Sequence, residues 1–292
     1  MSETSVAHSG LKKARLLVVQ GSARGGKGTI SHALYDQLGK EYRTALIDQG
    51  LKFRILAALA IDAGVDIENL EALAAFIDRK ETRDLLLARL RETRTMTSAE
   101  VDARYYTPQI SNASGMTGKL SVTHDVVVAV LLDQIRELAT MKDFIIIDGR
   151  ALDKYAKQLD SEGVVDFVLA VDVMCSPVTA AKRSLGYEPN ATVHTLTSDQ
   201  KTAMLERIEE IDRRNSSDAR RERDPSLPIH GAFEFNVLQT WSPDQLEKAA
   251  TKIREKKAIC VDNSFTRSKA QLTDPVVVLV KHIIENDASV ST

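Results

Sequence analysis

Apolar positions along this chain fall into two arrangements, and their alternation predicts the architecture. Short runs in which nearly every residue is apolar recur at Leu16–Val19, Arg43–Ile47, Phe144–Ile147, Phe167–Val173 and Ala258–Val261. Between them lie longer stretches in which apolar residues return every three or four positions, as at Ile30, Ala33, Leu34 and Leu38, or at Val126, Val130, Leu131, Ile135 and Leu138. Runs without alternation mark strands buried on both faces, and the helical spacing marks elements that cover them. Five such strands separated by helices predict an α/β fold, a doubly wound five-stranded parallel sheet.

Punctuation residues divide the chain further. Leu51 to Ala63 carries Ile55, Leu56 and Leu59 on one face, and residues 65 to 105 form a helical insertion in which Thr97-Ser98-Ala99-Glu100 has the form of a capping box. Thr107 to Gly118 is expected to be a polar loop. Ser176-Pro177 opens a helix, and Thr197-Ser198-Asp199-Gln200 opens another through Met204, Leu205, Ile208 and Ile211 into a charged stretch at 209–224. Residues 225–241 read as an irregular loop, Ser242-Pro243-Asp244-Gln245 caps a helix to about Lys256, and Asp274-Pro275 opens a terminal helix through Ile284. The expected organisation is a core of 11–64, 106–182 and 257–286, with the insertion at 65–105, a lid at 183–225, and an additional loop and helix at 226–256. The lid, polar and with few apolar anchors, is expected to be mobile without ligand.

Composition then narrows the partners. A chain of 292 residues builds its core without staples, and 39 Lys plus Arg against 41 Asp plus Glu leaves −2, too little charge to hold nucleic acid or an anionic membrane. No apolar run reaches the ~20 residues of a membrane span, and Met1 to Gly10 lacks the apolar core of a signal peptide. The expectation is a cytoplasmic monomer with no nucleic-acid or membrane partner. Cys175 and Cys260 stand apart from any metal-ligand spacing and are expected to be buried thiols.

Chemistry concentrates where the first strand breaks: Gly21-Ser22-Ala23-Arg24-Gly25-Gly26-Lys27-Gly28-Thr29. Gly-x-x-x-x-Gly-Lys is the spacing of a P-loop, whose backbone N–H groups point at phosphate oxygens while the lysine supplies charge and the following helix its N-terminus. In parallel sheets ligands bind beyond the carboxyl ends of the strands, and those ends here carry Asp48-Gln49-Gly50 with Arg54, and Asp148-Gly149-Arg150. Asp148 closes an apolar strand as a Walker-B carboxylate does. In the charged stretch, Arg214, Asp218 and Arg221 share one helical face, and neighbouring acidic residues balance the arginines there, against a phosphate-backbone footprint.

In this order the motifs resemble the cytidylate kinase family, from about Leu16 to Ile284. The resemblance rests on Gly21–Thr29, Asp48-x-Gly50-x-x-Phe53-Arg54, Ile110-Ser111-Asn112-Ala113-Ser114, Asp148-Gly149-Arg150, Arg214-x-x-x-Asp218-x-x-Arg221 before Pro225–Leu227, and Asp262-Asn263-Ser264. It implies transfer of the γ-phosphoryl of ATP, with Mg2+, to a nucleoside monophosphate, CMP or dCMP by default. Lys27 and the rest of Gly21–Thr29 would serve the donor phosphates, Thr29 and Asp148 the metal. Arg54, Arg150 and Arg221 would hold the acceptor phosphate and Asp218 its sugar, with Gln49 also at the acceptor. Arg183 and Arg214, with Lys27 and Arg150, would surround the transferring group.

The chain departs from the family pattern at several positions. Gln49 stands where the family has Ser or Thr, and Arg24 where glycine is usual, adding bulk to the cradle. Gly115, His124 and Ala151 stand where the family reads the base, so three polar contacts to cytosine are absent unless Ser114 or Asp153 supplies one. A site that has lost base-directed hydrogen bonds changes or relaxes its acceptor. The alternatives are a P-loop kinase of a non-nucleotide small metabolite, keeping Arg54 and Arg150 on its anion, and a non-catalytic nucleotide-binding or regulatory protein. His124 is expected to be locally hydrogen-bonded, and Trp241 to serve packing.

Overall fold

The computed structural model describes residues 13–221, 227–266 and 268–289. Its first half runs β1 (Arg15–Gly21), α1 (Lys27–Leu38), β2 (Thr44–Asp48), α2 (Gln49–Asp62), α3 (Leu70–Ile77), α4 (Lys80–Thr93), α5 (Ser98–Tyr105), α6 (Pro108–Thr117) and α7 (Ser121–Ala139). The second half runs β3 (Phe144–Asp148), α8 (Asp153–Ser161), β4 (Asp166–Met174), α9 (Pro177–Ser184), α10 (Ser198–Arg221), β5 (Phe233–Glu234), α11 (Pro243–Lys256), β6 (Ala258–Asp262) and α12 (Lys269–Ser289). All strand pairs are parallel, in the order β2-β3-β1-β4-β6-β5.

β1 is central, and every residue of it is buried. Its side chains alternate between two apolar layers. Leu17 and Val19 join Ile30 and Leu34 of α1, Ile253 of α11 and Val276 and Leu279 of α12, whereas Leu16 and Val18 join Leu131 and Ile135 of α7 and Ala156 and Leu159 of α8. Helices thus cover both faces, as the unalternating runs require. A third cluster gathers Ile55, Leu56 and Leu59 of α2 with Leu73, Leu86, Tyr105, Val127 and Val130, which fixes α3, α4 and α5 against α2 and α7 at the edge beyond β2. Among the described residues no single helix is long and apolar enough to cross a membrane.

Three expectations need correction. The sheet has six strands, because the stretch read as irregular contains the two-residue edge strand β5, registered as Phe233 to Ile259 and Glu234 to Cys260. The polar stretch after Tyr106 is the helix α6: Thr107 caps it, accepting from Ile110 N–H at 3.3 Å, and Pro108 fills the first turn, so a cap and a proline outweigh the Ser, Asn and Gly content. α12 begins at Lys269, with Pro275 inside it. The proline removes one helical hydrogen bond, but Leu272, Val276, Leu279, Val280 and Ile283 are all buried against the sheet and hold the helix through it.

Other readings stand. Both cysteines are buried thiols outside any disulfide. The capping boxes read at Thr97–Glu100 and Thr197–Gln200 both form, Ser242 caps α11 as expected, and Trp241 stacks on Phe235 at 4.9 Å with its indole N–H donated to Asn236 O.

Candidate active site

The loop after β1 is fastened at three points before any ligand is considered. Gly21 has φ 132°, and a Cβ there would stand 2.1 Å from Val173 O, so only glycine permits β1 to turn against the end of β4. Ser22 N–H donates to Val173 O at 3.1 Å and Ser22 Oγ accepts from Cys175 N–H at 3.1 Å. On the other side Asn263, just past β6, donates its side-chain N–H to Gly25 O at 2.8 Å. Gly26, at φ 102°, caps α1 from the left-handed region. Thr29 and Ile30 N–H turn back to Gly26 O at 3.1 and 3.3 Å, and the N–H groups of Lys27 and Gly28 at the start of α1 face outward for an anion. Lys27 Nζ donates to Ser22 O at 2.7 Å and Gly21 O at 3.3 Å. Burial, and then the positive field of Arg150, bring its pKa down to about 7 against the opposing pull of Asp148.

Two carboxylates lie abreast at the strand ends, since Asp48 of β2 is in register with Asp148 of β3. Asp148 Oδ2 accepts from Ser31 Oγ at 2.8 Å, and lies 3.6 Å from where Gly28 would carry a Cβ, so the side-chain-free position after the lysine gives the carboxylate room over the start of α1. Burial first, and Asp48 second, push Asp148 up to about 6. Thr29 sits half-buried in the same helical turn.

On the acceptor side, Asp48 caps α2, accepting from Gly50 N–H at 2.6 Å with one oxygen and from the Tyr106 hydroxyl with the other. The Tyr106 ring lies under the Arg54 guanidinium, 4.1 Å to the ring centre. Arg54 Nη1 is 2.9 Å from the position a Gly50 Cβ would take, and its buried Nε has no hydrogen bond to protein. Gln49, expected at the acceptor, directs its side-chain carbonyl to Arg150 N–H at 3.0 Å.

Arg183 donates to Thr266 O at 2.6 Å and to Thr266 Oγ1 at 3.2 Å. Arg24, at φ 55°, reaches Glu210 of α10 at 3.5 Å, and Arg214 stands 3.8 Å from the same carboxylate. Within 183–225, expected to have few apolar anchors, α10 supplies one: Ile211 is fully buried among Ala23, Cys175, Ala180 and Ala181. The side chains of Asp218 and Arg221 lie outside the described residues.

The three positions singled out for base reading offer little to a base. A side chain at Gly115 would meet only open space, Ala151 has φ 49°, and His124 Nε2 is 2.9 Å from Gly118 O with its ring edge-on to Phe53. Ser114 Oγ donates to Ser111 O, and Asp153 accepts from Gln20 and Lys157. Tyr106 and Asn215 were not singled out by sequence. Tyr106 meets Asp48 across 58 positions, and no local pattern signals such a contact.

A sequence model of the family described as "Cytidylate kinase" matches residues 17–255. A cytidylate kinase of Bacillus pumilus is 24% identical over 227 residues, covering 78% of this chain and 90% of that protein. A cytidylate kinase of Shewanella amazonensis is 39% identical over 70 residues, 23% of this chain and 29% of that protein. A solved structure of a candidate kinase from Chloroflexus aurantiacus covers 95% of this chain at 12% identity, with a TM-score of 0.37.

Proposed function

Because the chain belongs to the cytidylate kinase family, we propose that it transfers the γ-phosphoryl group of ATP to a nucleoside monophosphate, with CMP and dCMP as the first acceptors to try. The observation that carries this reading is the glycine loop between β1 and α1: Gly26 caps α1 from the left-handed region, Asn263 holds Gly25 O, and Lys27 Nζ lies folded over Gly21 O and Ser22 O at the end of β1. Arg150 and Arg214 add positive charge near Lys27, partly offset by Asp148 and Asp48, and a transferring phosphoryl group is the anion that such N–H donors and cations stabilise.

In this reading the first turn of α1 and Lys27 hold the donor phosphates. Lys27 exchanges its present carbonyl partners, Gly21 O and Ser22 O, for phosphate oxygens, which stabilise its protonated form. Arg54, backed by Tyr106, and Arg150, held by Gln49, receive the acceptor phosphate, while Arg214 and Arg183 approach from the lid. The oxygen donors Thr29 and Asp148 suit Mg2+, which takes one or two protein oxygens and fills its other positions from phosphate and water. Mg2+ bound there would neutralise phosphate charge.

A second acceptor class is favoured by one observation. Gly115 and Ala151 present no hydrogen-bonding side chain, and His124 is turned to Gly118 O, which supports a relaxed or different base, or a non-nucleotide phosphate ester. A panel of CMP, dCMP, UMP, AMP, GMP and dTMP with ATP and Mg2+, extended to sugar phosphates, separates these. Turnover on cytidylates alone supports the default, turnover on several bases supports relaxed reading, and turnover on sugar phosphates alone overturns the nucleotide acceptor.

A further inference from the structure

The apex of the phosphate loop is held by a residue of the lid. Asn215, 6% exposed, accepts the Ala23 N–H at 2.9 Å through its side-chain oxygen. Ala23 itself is fully buried, packed against Ile211 one helical turn earlier on α10. Its N–H is therefore spent on α10, whereas the orphaned donors of the first turn of α1 remain for an anion. A salt bridge reinforces the contact: Arg24, the next loop residue, reaches Glu210, and Glu210 also pairs with Arg207 at 2.6 Å.

The magnitudes separate the two parts. Arg24 and Glu210 each have side chains 36% exposed, and a pair so placed contributes little. A buried N–H that loses its acceptor forfeits far more than an exposed ion pair, and Ile211 adds a fully buried apolar anchor. The adjoining residue, Arg214, shares the Glu210 carboxylate with Arg24 of the loop, at 3.8 and 3.5 Å, which sets it over the loop apex.

We propose that Asn215 is a positioning residue which docks α10 on the apex of the phosphate loop and so sets Arg214 beside the transferring group. Here the lid is not a flap hinged clear of the loop: Glu210, Ile211 and Asn215 of α10 are seated on its apex. The Arg at position 24, which the sequence placed inside the cradle, belongs to this docking. The inference rests on the reading of the loop as the donor-phosphate site.

The test uses the full chain and the variants Asn215→Ala and Asn215→Asp, the latter keeping an acceptor oxygen for Ala23 N–H. Asn215→Ala is expected to lower kcat by about tenfold to hundredfold, the cost of a misplaced catalytic group, with the KM for ATP within about threefold of wild type. Asn215→Asp is expected to restore most of kcat. An unchanged kcat in Asn215→Ala overturns the proposal, as does an equal loss of kcat, ATP affinity and thermal midpoint in both variants. Amide exchange of residues 205–217 is followed in the same samples without nucleotide. It should be slow in wild type and about tenfold faster in Asn215→Ala, and equal rates overturn the docking even where no acceptor is turned over. Lys27→Ala serves as the control for the underlying reading. ATP binding that survives it removes the donor-site assignment, and leaves the exchange result to decide the docking alone.

Discussion

The side chain of Gln49 closes the gap between two strand ends by accepting Arg150 N–H at 3.0 Å. Gly149 makes the approach possible, because a Cβ there would stand 2.4 Å from Gln49 Oε1. Gln49→Ala leaves a part-buried N–H without that partner, at a cost of ~1–3 kcal/mol, and frees the turn that carries Arg150. The expected result is about a tenfold fall in kcat/KM for the acceptor, with the KM for ATP within twofold. Gly149→Ala, which pushes on the same contact from the other side, should reproduce it. Steady-state kinetics with each substrate varied in turn checks both, and an unchanged acceptor kcat/KM in the two variants would contradict the role.

Tyr106 supports Arg54 twice, by its ring beneath the guanidinium and by its hydroxyl on Asp48. Burial and the neighbouring Asp48 raise the pKa of that hydroxyl well above the usual tyrosine range, so the proton stays in place throughout any practical assay. Cation–π contacts of this kind are worth ~0.5–2 kcal/mol. Tyr106→Ala should raise the acceptor KM by about threefold to thirtyfold and leave kcat within about threefold, whereas Tyr106→Phe, which keeps the ring, should show the smaller shift. Equal effects of Phe and Ala would assign the contribution to the hydroxyl alone.

Lys52 is 1% exposed on α2, and burial lowers its pKa to about 8 from 10.5. Between those two values the unfolded chain binds a proton that the folded chain has released, so stability rises with pH across this window. Lys27, lowered to about 7, adds to the slope in the ligand-free protein. Lys52→Met should therefore raise the thermal midpoint at pH 7, corresponding to ~1–3 kcal/mol, and flatten its rise between pH 8 and 10. Thermal unfolding followed at several pH values provides the measurement, and a wild-type midpoint independent of pH over that interval would contradict it.

Much of the fold was legible because burial on two faces erases alternation. The runs at Leu16–Val19, Phe144–Ile147 and Phe167–Val173 all became strands flanked by helices. β5 escaped because two residues carry no period, and α6 because its Ser, Asn and Gly residues resemble a loop until Thr107 and Pro108 are weighed as a cap. Within the site, the loop was legible from glycines whose spacing follows from backbone geometry. Tyr106 and Asn215 were not, since each acts through one long-range contact, and Gln49 was read by its position at a strand end while its side chain turned to the neighbouring strand. Arg24 shows the same limit: charge and bulk were visible, but the direction of the side chain depends on Glu210 across the fold.

The central place of β1 also governs how the protein is made. Its neighbours are β3, registered from Phe144, and β4, registered from Asp166. During synthesis the strand Arg15–Gly21 emerges ahead of both strands it pairs with, which are translated only after the whole helical insertion. Pairings so distant in sequence make folding slow and keep the apolar strand exposed meanwhile. The loop after β1, whose Ser22 N–H donates to Val173 O of β4, thus takes its final shape only once β4 has been made.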